Sequence, residues 1–228
     1  MNTTKFLALN DIPLLSVLTN SEVQKLANEV IIKNYKKDEL VYHDKAMINY
    51  VYILDKGTVK LAQSTSDDKI MIKDILYSSA LFGENIFVQK KLRTEYAQAM
   101  ENSTIIAIPA KAFQVLFSTN HDFALQVTQV IIERLKNIET RIHNFVFLKA
   151  KSRIAEFIKK TASLKGIKIG IDEVLVNHGM SHKDISYVTD TSRQTVARVL
   201  GDLKRANIIH FSDRKPGKIL IRDMMALN

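Results

Sequence analysis

The stretch DTSRQTVARVL, residues 190–200, carries two guanidinium groups (Arg193, Arg198) and a carboxamide (Gln194) beside the hydroxyls of Thr191, Ser192 and Thr195. These groups suit a nucleic acid. Arginine donates two parallel hydrogen bonds to guanine O6 and N7, and glutamine can match adenine N6 and N7. Hydroxyls and helix-end amides hold phosphate. The same stretch has an apolar rhythm: Val196, Val199, Leu200 and Leu203 cluster in one direction at about 100° per residue. Arg193, Gln194, Ala197 and Arg198 cluster in another. Ala197 is small enough to allow close approach and to touch a thymine methyl. In an isolated helix the polar side would read as a solvated face.

The neighbouring elements argue against that bland reading. Ser181 precedes HKDISYVTD, and Asp184 three residues on closes a capping box. Ile185 and Val188 give this short helix an apolar edge. TDTS makes a turn, and Ser192 caps the next helix. Two helices this close together, one bracing the other, form a helix-turn-helix whose second helix enters the major groove. Ser181, His182 and Lys183 open the bracing helix and offer further phosphate contacts. The segment IIHFSDRKPGKILIRD reads as a two-stranded wing. Pro216-Gly217 suits a type II turn there, and Arg214, Lys215 and Lys218 crowd its tip.

Charge follows the same division. The chain has 228 residues and a net charge of +9. Residues 1–148 carry 17 basic and 16 acidic side chains, a net +1; residues 149–228 carry 16 and 8, a net +8. Such asymmetry points to a polyanion-binding domain joined to a nearly neutral one. With 46% apolar and 25% charged residues the chain can bury real cores. There is no cysteine, which excludes disulfides, thiol catalysis and Cys-ligated zinc or iron–sulfur clusters. No apolar run approaches the ~20 residues that cross a bilayer, so no membrane partner is expected. MNTTKFLALNDIPLL lacks a basic start and a small-residue cleavage site, so no signal peptide is read. The expected location is the cytoplasm.

Along the chain, Ser21 with Gln24 suggests a helix start, running to about Val30. IIKNYK, ELVYHD, YVYILDKG, TVKLAQS and KIMIKDIL then follow as short strand-like runs, joined by YAQAM and STIIAIP up to Pro109. Their close spacing predicts an all-β barrel or sandwich. KAFQVLFS is a short helix. From His121 to about Leu148 the period is helical, and Val127, Ile131, Leu135, Ile138, Ile142 and Phe145 form a near-heptad seam. A parallel dimer seam is the preferred reading over packing on the chain's own barrel, because Phe123, Val130 and Phe147 offer a second face. AKSRIAEFIKKTASL is a further amphipathic helix, and KGIKIGIDEV a loop with a short strand.

The segment SHKDISYVTDTSRQTVARVLGDLKRANII resembles the winged helix-turn-helix of the Crp/Fnr regulators. VYILDKGTVKL, FGENIF and STIIAIPAKAFQVLF resemble their cyclic-nucleotide-binding-type barrel, and IERLKNIETRIHNFVFLKAKSRIAEFI their dimer helix and hinge. The match spans roughly residues 12–222. It implies an α+β chain: a double-stranded β-helix (jelly-roll) sensor barrel at 1–120, a dimerisation helix at 121–148 and a winged helix-turn-helix at 149–228. It also implies a homodimer that reads a near-palindromic site in double-stranded DNA and acts on transcription with RNA polymerase as partner. Arg193, Gln194 and Arg198 fall on the base-contacting positions; many members have Glu where this chain has Gln194, which bears on the half-site read. Gly83, Glu84, Arg93 and Thr94 match the four positions that hold the cyclic phosphate and ribose. Glu84 could accept from a ribose hydroxyl, and Arg93 and Thr94 could hold phosphate.

Three departures stand beside that match. NIFVQKKL lacks the usual glycine and proline and is about a residue short; Glu95 follows Thr94 where a small residue is usual; and Ile138-Glu139 replace hydroxyls on the dimer helix. A Glu84–Arg93 ion pair in a vestigial pocket is therefore the alternative to a working nucleotide site. The effector identity is left open. No histidine stands out as a heme ligand, and the spacing of His178 and His182 is interrupted by Gly179 and Ser181. With no metal cluster, nucleophile elbow or phosphate-cradling glycine loop, no enzyme is expected. A ligand-binding module that regulates a protein partner through its C-terminal domain is the rival function. Truncating Lys215 is expected to weaken DNA binding evenly across sequences and to reduce the salt slope by about one; a loss confined to one sequence in a salt titration would count against a phosphate contact.

Overall fold

A computed structural model of the chain describes residues 3–64, 70–88, 91–211 and 217–227. It contains two compact units, residues 1–69 with 73–137 and residues 70–72 with 138–228.

The first unit opens with helices α1 (Thr3–Asn10) and α2 (Asn20–Glu29), separated by a 3-10 turn at Pro13–Leu15. The cap of α2 is Thr19 with Glu22, two residues before the Ser21–Gln24 box expected from the sequence: Thr19 Oγ1 accepts from the Glu22 amide, and the Glu22 carboxylate accepts from the Thr19 amide. Both pairs have capping-box spacing. The earlier one wins because a carboxylate accepts more strongly than a carboxamide.

Eight strands follow: β1 (Ile31–Tyr35), β2 (Leu40–Tyr42), β3 (Tyr50–Lys56), β4 (Thr58–Ser64), β5 (Ile70–Tyr77), β6 (Leu81–Phe82), β7 (Tyr96–Ala99) and β8 (Ser103–Pro109). They form two four-stranded sheets in the orders β1-β8-β3-β6 and β2-β7-β4-β5, the jelly-roll arrangement. All the strand pairings described in these two sheets are antiparallel. In β3 and β8 alternate side chains go to two different cores. Val51, Ile53, Ile106 and Ile108 join a cluster with Leu15, Leu26, Phe113 and Phe123; Tyr52, Leu54 and Ile105 join one with Tyr42, Val59 and Phe82. A strand buried on both faces reads as a continuous apolar run, which is why YVYIL and TIIAIP show little alternation.

Helix α3 (Ala110–Thr119) leads into α4 (His121–Phe147). Asn120 Oδ1 accepts from the Phe123 amide and caps the start of α4. Phe123 and Val127 are fully buried in the first cluster and Val130 packs partly against it. Beyond this point Ile131, Leu135, Ile138, Ile142 and Phe145 are exposed. Two members of the expected faces change sides. Val127 lies about 40° from both Phe123 and Ile131, and the barrel-side core takes it. Phe147, assigned above to the core-facing side, is 72% exposed.

The second unit contains α5 (Ala150–Lys165), β9 (Gly166–Lys168), β10 (Val174–Asn177), α6 (His182–Val188), α7 (Arg193–Arg205), β11 (Ile209–His210) and β12 (Lys218–Ile221). The expected two-stranded wing is half of a four-stranded sheet, β11-β12-β10-β9, because β12 pairs with β10 as well as with β11. Leu175 and Val176 supply the apolar pairs that Leu220 and Ile219 need. Among the described residues no helix is long and apolar enough to cross a membrane.

Gly57 joins β3 to β4 at φ +106°, and an added Cβ would lie 2.2 Å from Ser103 Oγ and 2.8 Å from Ser103 Cα. Gly57→Ala is expected to cost ~2 kcal/mol or more, since it combines a left-handed backbone with a clash against a neighbouring strand. Urea unfolding checks this; a midpoint equal to that of the parent would refute it.

Candidate nucleic-acid interface and barrel pocket

Helix α6 begins with the capping box expected from the sequence. Ser181 Oγ accepts from the Asp184 amide at 3.2 Å, and Asp184 Oδ2 accepts from the Ser181 amide at 3.0 Å and from its hydroxyl at 2.6 Å. Ser181 is therefore engaged by a carboxylate at the place where the sequence suggested a phosphate contact. Lys183 is exposed and His182 partly so. The turn to α7 passes through Asp190 at φ +51°, with the Thr191 amide donating to Ser186 O. Ser192 Oγ then accepts from the Thr195 amide at 3.0 Å, and the two hydroxyls sit 2.9 Å apart. Ser192 is exposed, while Thr191 and Thr195 are partly covered.

In α7, Val196, Val199, Leu200 and Leu203 are buried. Arg193, Gln194, Ala197 and Arg198 are all exposed on the opposite side. Among the described residues, neither arginine makes a hydrogen bond or ion pair. Lys215 lies outside the described residues, as do Arg214 and Pro216; Lys218, at the start of β12, is exposed.

The barrel brings together only part of the expected effector constellation. Gly83 has φ +74°, and a Cβ there would meet Arg93 Nη1 at 2.9 Å. Arg93 is 3% exposed. Its Nη2 donates to Tyr50 O at 2.6 Å and its Nη1 to Gly83 O at 3.4 Å, while Nε has no partner among the described residues. The guanidinium lies 4.0 Å from the Tyr42 ring centre. Behind it Tyr42, Tyr52 and Phe82 stack at 5.4 and 5.2 Å. Buried cations need such hydrogen bonds and π faces to offset the loss of water.

Glu84 does not pair with Arg93, so the expected alternative of a Glu84–Arg93 ion pair does not form. Glu84 instead engages Arg134 of α4, whose Nη2 donates to Leu81 O at 2.6 Å. Thr94 is exposed, because Arg93 and Glu95 take the inward positions on either side of it. Glu95 is bound by Lys73 at 2.7 Å and accepts from Tyr42 Oη at 3.3 Å. Burial, and secondarily the charge of Glu95, hold the Tyr42 phenol protonated well above its ordinary range. Arg134 and Tyr42 join this site without any signal in the sequence. Both are distant in the chain from the Gly83–Thr94 segment, and no local spacing links them to it.

His178 directly follows β10, and the next residue, Gly179, donates from its amide to Gly217 O at 3.1 Å. His178 is 3% exposed, its Nδ1 accepts from the Met180 amide at 3.1 Å, and its Nε2 has no partner among the described residues. Burial, then the nearby charges of His182 and Lys165, push its pKa down to about 4. A depressed histidine contributes stability that is complete above the unfolded value of 6.5 and is lost as pH falls through 4. The loss is expected to reach about 3 kcal/mol. Denaturant unfolding of the parent and of His178→Gln between pH 7 and 4 checks this: the difference between the two should shrink as pH falls, and parallel curves would refute it.

Two family models match the chain. One, described as the cyclic nucleotide-binding domain, covers residues 32–120; the other, the Crp-like helix-turn-helix domain, covers residues 152–228. The chain is 26% identical over 179 residues to the cAMP-activated global transcriptional regulator CRP of Pasteurella multocida, covering 78% of this chain and 85% of that protein. Among solved structures, FixK2 from Bradyrhizobium japonicum aligns with a TM-score of 0.76 at 20% identity, over 87% of this chain and 95% of that one. A mutant of CooA from Carboxydothermus hydrogenoformans aligns with a TM-score of 0.73 at 26% identity, over 96% and 95%. With a barrel matching the first model, a helix-turn-helix matching the second, and relatives that span both in one order, the chain belongs to the Crp/Fnr family of transcriptional regulators.

Proposed function

We propose that the chain works in the cytoplasm as a homodimer that reads a near-palindromic site in double-stranded DNA, acts with RNA polymerase, and is modulated by a small effector in its barrel. It divides into a sensor barrel (1–120), a dimer helix (121–148) and a winged helix-turn-helix (149–228). No catalytic step is assigned to it.

The observation that carries this reading is the outward face of α7. Arg193, Gln194, Ala197 and Arg198 are exposed together, while four apolar residues hold the opposite side inward. Neither arginine is committed to another described residue, so the fork of each is available for a base edge. Thr191, Ser192, Thr195 and Lys183 flank this face and suit phosphate. Ser181 suits it less, because Asp184 occupies its hydroxyl. Dimerisation through Ile131, Leu135, Ile138, Ile142 and Phe145 covers an apolar stripe left bare on α4. It also places two recognition helices ~34 Å apart, one turn of DNA.

For the effector, Arg93 is a buried cation that donates to the carbonyls of Tyr50 and Gly83 and, among the described residues, pairs with no carboxylate, which suits an anionic group. The Pasteurella relative is named as cAMP-activated. Here a ribose hydroxyl could reach Glu84 only after Arg134 releases it.

Selection of bound sequences from random duplex DNA tests the reading; an unenriched pool at low salt would remove it. On the selected site, Arg193→Ala or Arg198→Ala is expected to lose ~1–3 kcal/mol of discrimination at one base pair each. Equal loss on every sequence in a competition assay would make them phosphate contacts instead.

A further inference from the structure

The turn between α6 and α7 leaves three backbone carbonyls, those of Tyr187, Thr189 and Asp190, at a place where the chain changes direction. Two guanidinium groups from two other helices fill them. Arg141 of α4 donates from Nη2 to Tyr187 O at 3.0 Å, and holds the Asp190 carboxylate in a two-pronged grip: Nε to Oδ2 at 3.0 Å and Nη2 to Oδ1 at 2.7 Å. Arg153 of α5 donates from Nε to Thr189 O and from Nη2 to Asp190 O, both at 2.9 Å, and from Nη1 to Leu148 O at 2.8 Å. A planar fork bound at two points fixes orientation as well as distance. Asp190 itself stands at φ +51°, two residues before the Ser192 cap.

We propose that Arg141 is a positioning residue for DNA reading: through Asp190 it fixes the recognition helix α7 against the C-terminal turns of α4. The inference rests on the DNA-reading function above and goes beyond it. Arg141 sits on the same helix as the bare apolar residues Ile138, Ile142 and Phe145. The element that joins two copies thus directly grips the turn that aims α7. Arg153 supports the turn's carbonyls but leaves the Asp190 carboxylate to Arg141. Breaking the Arg141 grip leaves α7 folded on Val196, Val199, Leu200 and Leu203 and frees its direction. The pair also neutralises a carboxylate that stands beside the Thr191–Ser192 phosphate-binding segment.

The test uses the full chain and the variants Arg141→Met, Arg141→Lys and Asp190→Asn. DNA affinity is measured on the selected operator, on a single half-site, and on operators with one or two base pairs inserted between half-sites. The parent is expected to lose about thirtyfold on the altered spacings, and Arg141→Met less than about fivefold, with single half-site affinity within about threefold of the parent. Arg141→Lys keeps the charge without the fork and should remain closer to Met than to the parent. In the protein alone, amide hydrogen exchange at residues 187–192 is expected to rise about tenfold in Arg141→Met and in Asp190→Asn, while exchange in the core turns of α7 is unchanged. Spacing profiles parallel to the parent, a loss equal on single and paired half-sites, or unchanged exchange at the turn would each overturn the proposal. If the parent itself discriminates no DNA, the DNA-reading function fails, and the exchange measurement alone decides whether Arg141 holds the turn.

Discussion

A helix can turn only one side inward, and in α7 four apolar side chains decide which side that is. Burying Val196, Val199, Leu200 and Leu203 stabilises the helix by roughly 1.5–3 kcal/mol for each side chain. Rotating α7 to bury Arg193 or Arg198 would forfeit part of that gain and add several kcal/mol for an unpaired buried charge. The rotation of the recognition helix is therefore settled by its core, and the polar groups face outward as a consequence. The remaining features of the second unit serve this one: α6 braces the helix, Ser192 starts it, and the turn before it is tied down by guanidinium groups.

The barrel solves a different problem, that of keeping a cation inside. Arg93 occupies an inward position on a segment where alternate residues point in, and burial of its guanidinium is costly without partners. The Tyr42 ring and the carbonyls of Tyr50 and Gly83 provide them. Glu95, two residues on and also inward, finds Lys73 and Tyr42. Each buried charge has its own neighbours, and the obvious opposite-charge partner for Arg93, Glu84, is taken by a helix residue from farther along the chain.

How much of this was legible in the sequence depended on range. The caps at Ser181 and Ser192, the apolar side of α7 and its exposed polar side all follow from spacings of three or four residues, and they appear as read. The β-rich N-terminal region, the long helix and the helix-turn-helix were likewise visible from period alone. What the spacing left undecided was competition between nearby solutions. Thr19 with Glu22 and Ser21 with Gln24 are two capping boxes in the same six residues, and only acceptor strength separates them. Val127 stands between two helix faces and belongs to whichever core reaches it. The pairing of Glu84 with Arg134, fifty residues away, and the grip of Arg141 on Asp190, have no local signature at all.

The neighbours of Arg93 have a thermodynamic corollary. A buried cation that relied on a bound anion for compensation would make folding depend on that anion's concentration. Here the Tyr42 ring and the carbonyls of Tyr50 and Gly83 stand beside the guanidinium already, so the charge is carried by the chain's own groups.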